Sequence, residues 1–170
     1  MDLHLAPPHG AGPVRFGMTL DEAVAAVSPW GEPRVRTRPN RVLVTVSAAC
    51  DHVGVEVLLE EENRVTAVEL WWPGEGRETS TRVLLEGVGM LRAADVDVFR
   101  TPADEVLGRI AAQGWRVHDA DGEAPFVAGL SLGFTRRTSQ EVPRRLDGLP
   151  VCFTSVLVGG EDYYDFRLPR

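Results

Sequence analysis

The sequence predicts an α+β fold in which two helix-plus-antiparallel-meander repeats pack as one unit. Three observations predict it. A capped helix start stands at Thr19, a second stands at Thr101 about half the chain later, and stretches of period two follow each. The expected halves are 1–79 and 80–170, as one compact domain or as two tightly packed halves.

Taken in order, Met1 to Gly12 has no basic region followed by an apolar core, so it does not read as a signal peptide. Phe16-Gly17-Met18-Thr19-Leu20-Asp21-Glu22 reads as a helix start. Thr19 is a good N-cap, Glu22 completes a capping box, and Asp21 and Glu22 complement the positive end of the helix dipole. Leu20, Ala23, Val24 and Val27 fall at helical spacing, and Pro29 with Gly31 ends the helix.

The period then changes to two. Arg41–Val46, Gly54–Leu59 and Arg64–Trp71 are rich in β-branched residues, and Glu61-Glu62-Asn63 is a polar turn that makes the last two an antiparallel hairpin. Pro73 to Thr79 has loop composition. Val83 to Leu85 reads as a further strand or a short helical turn. The second helix starts with Thr101 as N-cap and Pro102 at the first helical position, carries Asp104 and Glu105 in its first turn, and stops at Gly114. Ala128–Phe134 and Val151–Val158 read as strands, with the polar segment Thr138 to Pro150 between them as an exposed loop. Helices this short are unstable alone and must lie across a sheet, which two meanders supply by sharing one sheet or by packing face to face.

Composition narrows the function. The 170-residue chain has 44% hydrophobic and 25% charged residues, enough for a buried core without metal or disulfide staples. Net charge is −7, and all 18 basic side chains are arginine, a pattern that GC-rich coding produces. Clusters at Arg34, Arg36, Arg38, Arg41 and at Arg136, Arg137, Arg144, Arg145 are outnumbered overall by acids, which disfavours nucleic acid as a partner. No stretch approaches the apolar length of a membrane span, so a cytoplasmic protein with no membrane partner is expected. Cys50 and Cys152 make no disulfide framework and no metal set, and a single bridge between them stays open.

The segment Phe16-Gly17-Met18-Thr19, with Glu22, Val24 and Gly31 following, resembles a strand-turn-helix motif of several small α+β families. They include the BamE-like outer-membrane assembly lipoproteins and the tandem helix-plus-sheet β-lactamase-inhibitor proteins of streptomycetes. Gly12 to Met18 and Tyr163-Tyr164-Asp165 are also similar to the start and end of a group of actinobacterial proteins. The resemblance to the first motif covers Phe16 to Gly31 and implies a fold, not an activity. The secretion signal, the lipidation cysteine and the paired cysteines of the exported families are not reproduced. By analogy, small actinobacterial proteins of this pattern look like antitoxin or immunity components.

No catalytic residue, metal ligand or cofactor site is predicted. His4, His9, His52 and His118 lie in no nucleophile elbow or Cys-His signature, and Cys50-Asp51-His52 does not converge on a strand. Asp119-Ala120-Asp121-Gly122-Glu123 lacks the terminal glutamate of a calcium loop and reads as a turn, as does Glu60-Glu61-Glu62. The candidate partner-binding residues are aromatic: Trp71 and Trp72 at a strand end, where alternation buries one and exposes the other, and Tyr163 and Tyr164.

The expected function is a non-enzymatic protein-binding or inhibitor module, with immunity as one form and a basic partner surface suited to the −7 charge. The alternative is a small-molecule-binding protein or atypical enzyme with a pocket between the halves lined by Arg and His. A third reading is self-association through an uncovered strand at Val151 to Val158.

Overall fold

The computed structural model describes residues 1–46, 53–72, 80–85, 96–138 and 142–168, and they form a mixed helix-and-sheet protein. Strands β1 (Asp2–Ala6), β2 (Gly10–Ala11) and β3 (Val14–Arg15) precede helix α1 (Leu20–Val27). Strands β4 (Arg34–Arg38), β5 (Arg41–Val46), β6 (Gly54–Glu60) and β7 (Arg64–Trp71) follow as an antiparallel meander. After β8 (Arg82–Leu85) and β9 (Val96–Asp97) come α2 (Ala103–Ala112), β10 (Phe126–Val127), β11 (Leu132–Thr135) and β12 (Ser155–Gly159). None of the helices among the described residues is long and apolar enough to cross a membrane.

Two sheets result. The larger has seven strands in the order β10-β11-β12-β7-β6-β5-β4, all antiparallel. Its two meanders meet at β7 and β12, in register from Trp71 opposite Ser155 to Ala67 opposite Gly159. The smaller sheet, β3-β2-β1-β8-β9, was not anticipated as a sheet. There β1 runs parallel to β8, with Leu3 beside Val83 and Leu5 beside Leu85, so Val83–Leu85 is strand and not helical turn. Leu3 and Leu5 are buried while Asp2 is exposed, a short period-two pattern easily passed over at a chain start.

Alternation builds the core. Val42, Val44 and Val46, then Val55, Val57 and Leu59, then Val68 and Leu70, then Val156 and Val158 are all buried in one apolar cluster. Ala23 and Val27 of α1 and Val106, Leu107 and Ile110 of α2 belong to the same cluster. Burying a Val or Leu side chain is worth about 1.5–3 kcal/mol, so this face supplies most of the folding drive.

The capping box at α1 forms as its residues require. Thr19 Oγ1 accepts from the Glu22 amide at 3.3 Å, and Glu22 Oε2 accepts from the Thr19 amide at 2.8 Å. Those bonds hold the Glu22 carboxyl below its ordinary value. Gly17, at φ 82°, turns the chain so that its amide donates to Val65 O at 2.9 Å and the Met18 carbonyl accepts from Val65 N at 2.9 Å. The helix start is thereby tied to β7.

Four local expectations need correction. Thr101 is not the cap of α2: the helix starts one residue later, with Pro102 in the cap position and no side-chain cap bond. Pro102 forms an antiparallel bridge with Cys152, and the Ala103 amide donates to Val151 O at 2.9 Å, so a tertiary contact replaces the cap. Ala128–Phe134 is not one strand. A 3₁₀ turn at Ala128–Leu130 and a left-handed Ser131 (φ 49°) delay it until Leu132. Val151–Val158 is strand only from Ser155, because the bridge to Pro102 draws Cys152 off the sheet. Nor is that strand uncovered, since β12 lies between β11 and β7. The loop composition of Pro73 to Thr79 and the Cys50-Asp51-His52 run fall outside the described residues.

One member of the second arginine cluster is internal, whereas Arg137, Arg144 and Arg145 are exposed. Arg136 is 1% exposed, and its Nη2 donates to the carbonyls of Ala120 (2.8 Å) and Gly122 (2.9 Å). The acidic turn Asp119 to Glu123 is thus wrapped around a guanidinium. Arg145 Nη1 donates to both carboxylate oxygens of Asp104 at 2.7 Å, fastening the 142–150 loop to the first turn of α2.

The two helix starts behave differently on mutation. Thr19→Ala lowers unfolding free energy by about 1 kcal/mol in urea denaturation, while Thr101→Ala stays within about 0.5 kcal/mol. Because Glu22 titrates below its ordinary value when folded, its contribution is present above the ordinary carboxylate range and disappears as pH falls through the folded value. The gap between wild type and Thr19→Ala therefore narrows in acid.

Candidate functional site

Alternation that sends valines inward sends a different set outward. On the outer face of the large sheet, Glu56 of β6 lies opposite Glu69 of β7, with Gly54 opposite Trp71 beside them. Across the β7–β12 junction, Ser155 lies opposite Trp71 and its Oγ donates to Glu69 Oε1 at 2.7 Å. One strand further, Thr135 lies opposite Ser155. The indole of Trp71 covers Gly54, where a Cβ would come within 1.9 Å of the ring, so a side chain there would displace the tryptophan.

These residues wall an open groove of about 490 Å³, lined by Glu69, Trp71, Trp72, Thr135, Arg137, Thr138, Thr154 and Ser155. Arg137 stands at its rim with an 82% exposed side chain, steadied by Glu123 at 3.1 Å. Thr154 Oγ1 donates to the carbonyls of Thr135 and Arg137, both at 3.1 Å, so its hydroxyl is committed to the groove floor. The groove therefore offers a half-buried indole, an exposed cation and a hydrogen-bonded hydroxyl–carboxylate pair on one sheet.

Electrostatics single out Glu56. Burial pushes its carboxyl up, and Glu69 facing it pushes the same way; Arg38, Arg36 and Arg41 oppose them.

Of the four residues predicted from sequence, Trp71 and Trp72 both reach the groove, each half-buried rather than one in and one out. Trp72 leaves the strand, its amide donating to Thr154 O at 2.9 Å, and its side chain rests on the core. Tyr163 and Tyr164 lie elsewhere. Tyr163 covers Gly159 and Tyr164 covers Gly133, where added Cβ atoms would come within 2.3 Å of the Tyr163 ring and 1.9 Å of the Tyr164 hydroxyl. Gly159 is four residues from Ser155, about 13 Å along the strand, so the Trp and Tyr pairs do not form one patch. Tyr164 is 7% exposed and stacks on Phe126 at 5.5 Å; burial raises its hydroxyl, as it does that of Tyr163. Tyr164 is thus a packing residue under Tyr163. Glu56, Glu69, Thr135 and Ser155 were not singled out and Arg137 only as one of an arginine cluster; the outward positions of the two glutamates were the available signal.

A second hollow lies behind Trp72. It encloses about 290 Å³ and is lined by Trp72, Phe99, Phe153, Pro143, Pro150 and Cys152, among others. One wall comes from the first half and the rest from the second, and it is apolar, not lined by Arg and His as expected for a pocket between the halves. Cys152 carries a free thiol, and burial, then Asp97, raises it above its ordinary value. Its expected alternative partner, Cys50, lies outside the described residues.

Compared with known proteins, the chain matches no protein family, no curated protein and no solved structure.

Replacing Glu56 by Gln tests the outer-face electrostatics. A carboxyl raised on folding supports the fold below its unfolded value and ceases to as pH rises through its folded value. Glu56→Gln therefore raises the melting temperature at neutral pH and has no such effect in acid, followed by circular dichroism.

Proposed function

We propose that this chain is a non-enzymatic protein-binding module of the inhibitor or immunity kind, engaging its partner at the groove between β7 and β12. The observation that carries the reading is the placement of Trp71 and Arg137 beside the fixed Ser155–Glu69 pair. Trp and Arg are side chains that often anchor protein interfaces, and a part-buried hydroxyl–carboxylate pair adds directional specificity. A sheet presents them with little entropy left to lose on binding. The net charge of −7 steers a partner with a basic surface toward the chain. As part of this reading, the two helix-plus-meander units descend from one duplicated unit, as the likeness to tandem-repeat inhibitor proteins implies, and the protein works in the cytoplasm.

A second reading rests on the apolar hollow behind Trp72. Its size and lining suit a small hydrophobic ring, with the Cys152 thiol as the polar mark. Thermal-shift screening with small aromatic compounds separates the readings. Stabilisation abolished by Cys152→Met, which fills the hollow, supports a ligand site.

For the main reading, a photo-crosslinking side chain is placed at position 135 in the groove, and separately at position 25 on the exposed side of α1. In extract of the native host, position 135 gives a discrete adduct that excess unlabelled protein competes away and Arg137→Glu protein does not. Equal adducts at both positions, or equal competition by Arg137→Glu, contradict the reading.

A further inference from the structure

We propose that β4 is an open sheet edge that accepts an extended acidic segment of a partner protein as an added strand. This rests on the protein-binding reading above but uses a different surface, at the far end of the large sheet from the β7–β12 groove.

Three features of β4 carry the inference. It ends the seven-stranded sheet, and every one of its residues, Arg34 to Arg38, is exposed. The register places Arg34 opposite Thr45, Arg36 opposite Leu43 and Arg38 opposite Arg41, so these arginines line the outer face at alternate positions, about 7 Å apart. Val35, on the other face and opposite Val44, is a β-branched residue left 47% exposed.

The arginines are also unspent. Arg136, Arg137, Arg144 and Arg145 are each bonded to carboxylates or carbonyls. Arg34, Arg36 and Arg38 form no hydrogen bond or ion pair with any described residue; Arg38 and Arg36 act on Glu56 only through their charge. Three guanidinium forks, each able to grip a carboxylate with two parallel bonds, thus stand in a row on a chain whose net charge has the opposite sign.

The backbone completes the site. The turn at Pro39-Asn40 has two residues and closes on the Arg38–Arg41 pair, which therefore exchanges its hydrogen bonds. Alternation from that pair turns the N–H and C=O groups of Val35 and Thr37 away from β5, toward the open side. An incoming strand meets those groups with its own backbone, while its alternate side chains meet the arginine row. Glu or Asp at every second position satisfies both demands. A second copy of this chain does not, because pairing β4 with itself sets one arginine row against another.

The test uses the intact protein and a fluorescein-labelled peptide of alternating Glu and Thr, with an alternating Lys–Thr peptide and a block Glu–Thr peptide as controls. The alternating acidic peptide raises anisotropy, and NMR shifts concentrate on the amides of Val35 and Thr37. Binding falls about tenfold or more in Arg34→Gln/Arg36→Gln/Arg38→Gln protein and is lost in Thr37→Pro, which removes an outward N–H and is tolerated at an edge. If Thr37→Pro does not fold, the amide shifts of the wild type decide. Arg137→Glu leaves peptide binding unchanged, so failure of the groove reading and failure of this one are distinguishable. Absence of binding, equal binding of the block or lysine peptide, shifts away from β4, or a wild-type dimer that the triple variant dissolves overturns the inference. If no peptide binds and the protein stays monomeric, the arginine row serves only to keep the edge from pairing.

Discussion

The pairing of β7 with β12 is the constraint on which the rest of the structure depends. Five consecutive residue pairs, from Trp71–Ser155 to Ala67–Gly159, join two meanders that are far apart in sequence. Without it each meander would expose a long apolar edge, and Val68, Leu70, Val156 and Val158 would lose their shared burial. Loop closure over such a distance costs only a few kcal/mol more than over a short one, whereas each buried Val or Leu repays about 1.5–3 kcal/mol. The hydrophobic face therefore decides the topology. The same junction creates the outer groove, because Glu69 and Trp71 come from one side of it and Ser155 and Thr135 from the other.

Charge is sorted by position, not by sign along the chain. In the second half Arg136 is drawn inward to hold two carbonyls, its buried guanidinium having Asp104 Oδ1 3.6 Å away and the face of Phe153 5.9 Å away, while Arg145 ties its loop to α2 from the surface. Arg34, Arg36 and Arg38 of the first half stand exposed on the outermost strand. Acids occupy the centre of the outer face, where Glu56 and Glu69 face each other under partial burial. Such an arrangement is costly to the fold in isolation, and its cost falls when a partner supplies counter-charge.

Much of this was legible in the sequence where local chemistry alone decides. The Thr19–Glu22 capping box, strands Arg41–Val46 and Arg64–Trp71, and the Glu61–Asn63 turn are set by neighbours in the chain. What escaped reading was set at a distance. The cap of α2 is a bridge to Cys152, the strand at Leu132 waits on a left-handed Ser131, and β1 is a strand because β8 lies beside it. The candidate site was half legible. Trp71 and Trp72 were found from their adjacency, but the opposition of Glu56 and Glu69 depends on a register shift between Leu58 and Leu59. Counting back from the turn without that bulge puts Glu56 opposite Val68. The inward residues Val65, Val68 and Leu70 carry the trace of it, a step of three where two is the rule.

The central claim is that the β7–β12 junction makes one cooperative sheet out of two meanders. Native-state hydrogen exchange under increasing denaturant tests it most directly. The account predicts that amides of Val57, Val68, Val156 and Val158 merge into a single unfolding isotherm with the slope of global unfolding. Exchange of the β11 and β12 amides at lower denaturant with a shallower slope, while β5, β6 and β7 stay protected, would contradict it.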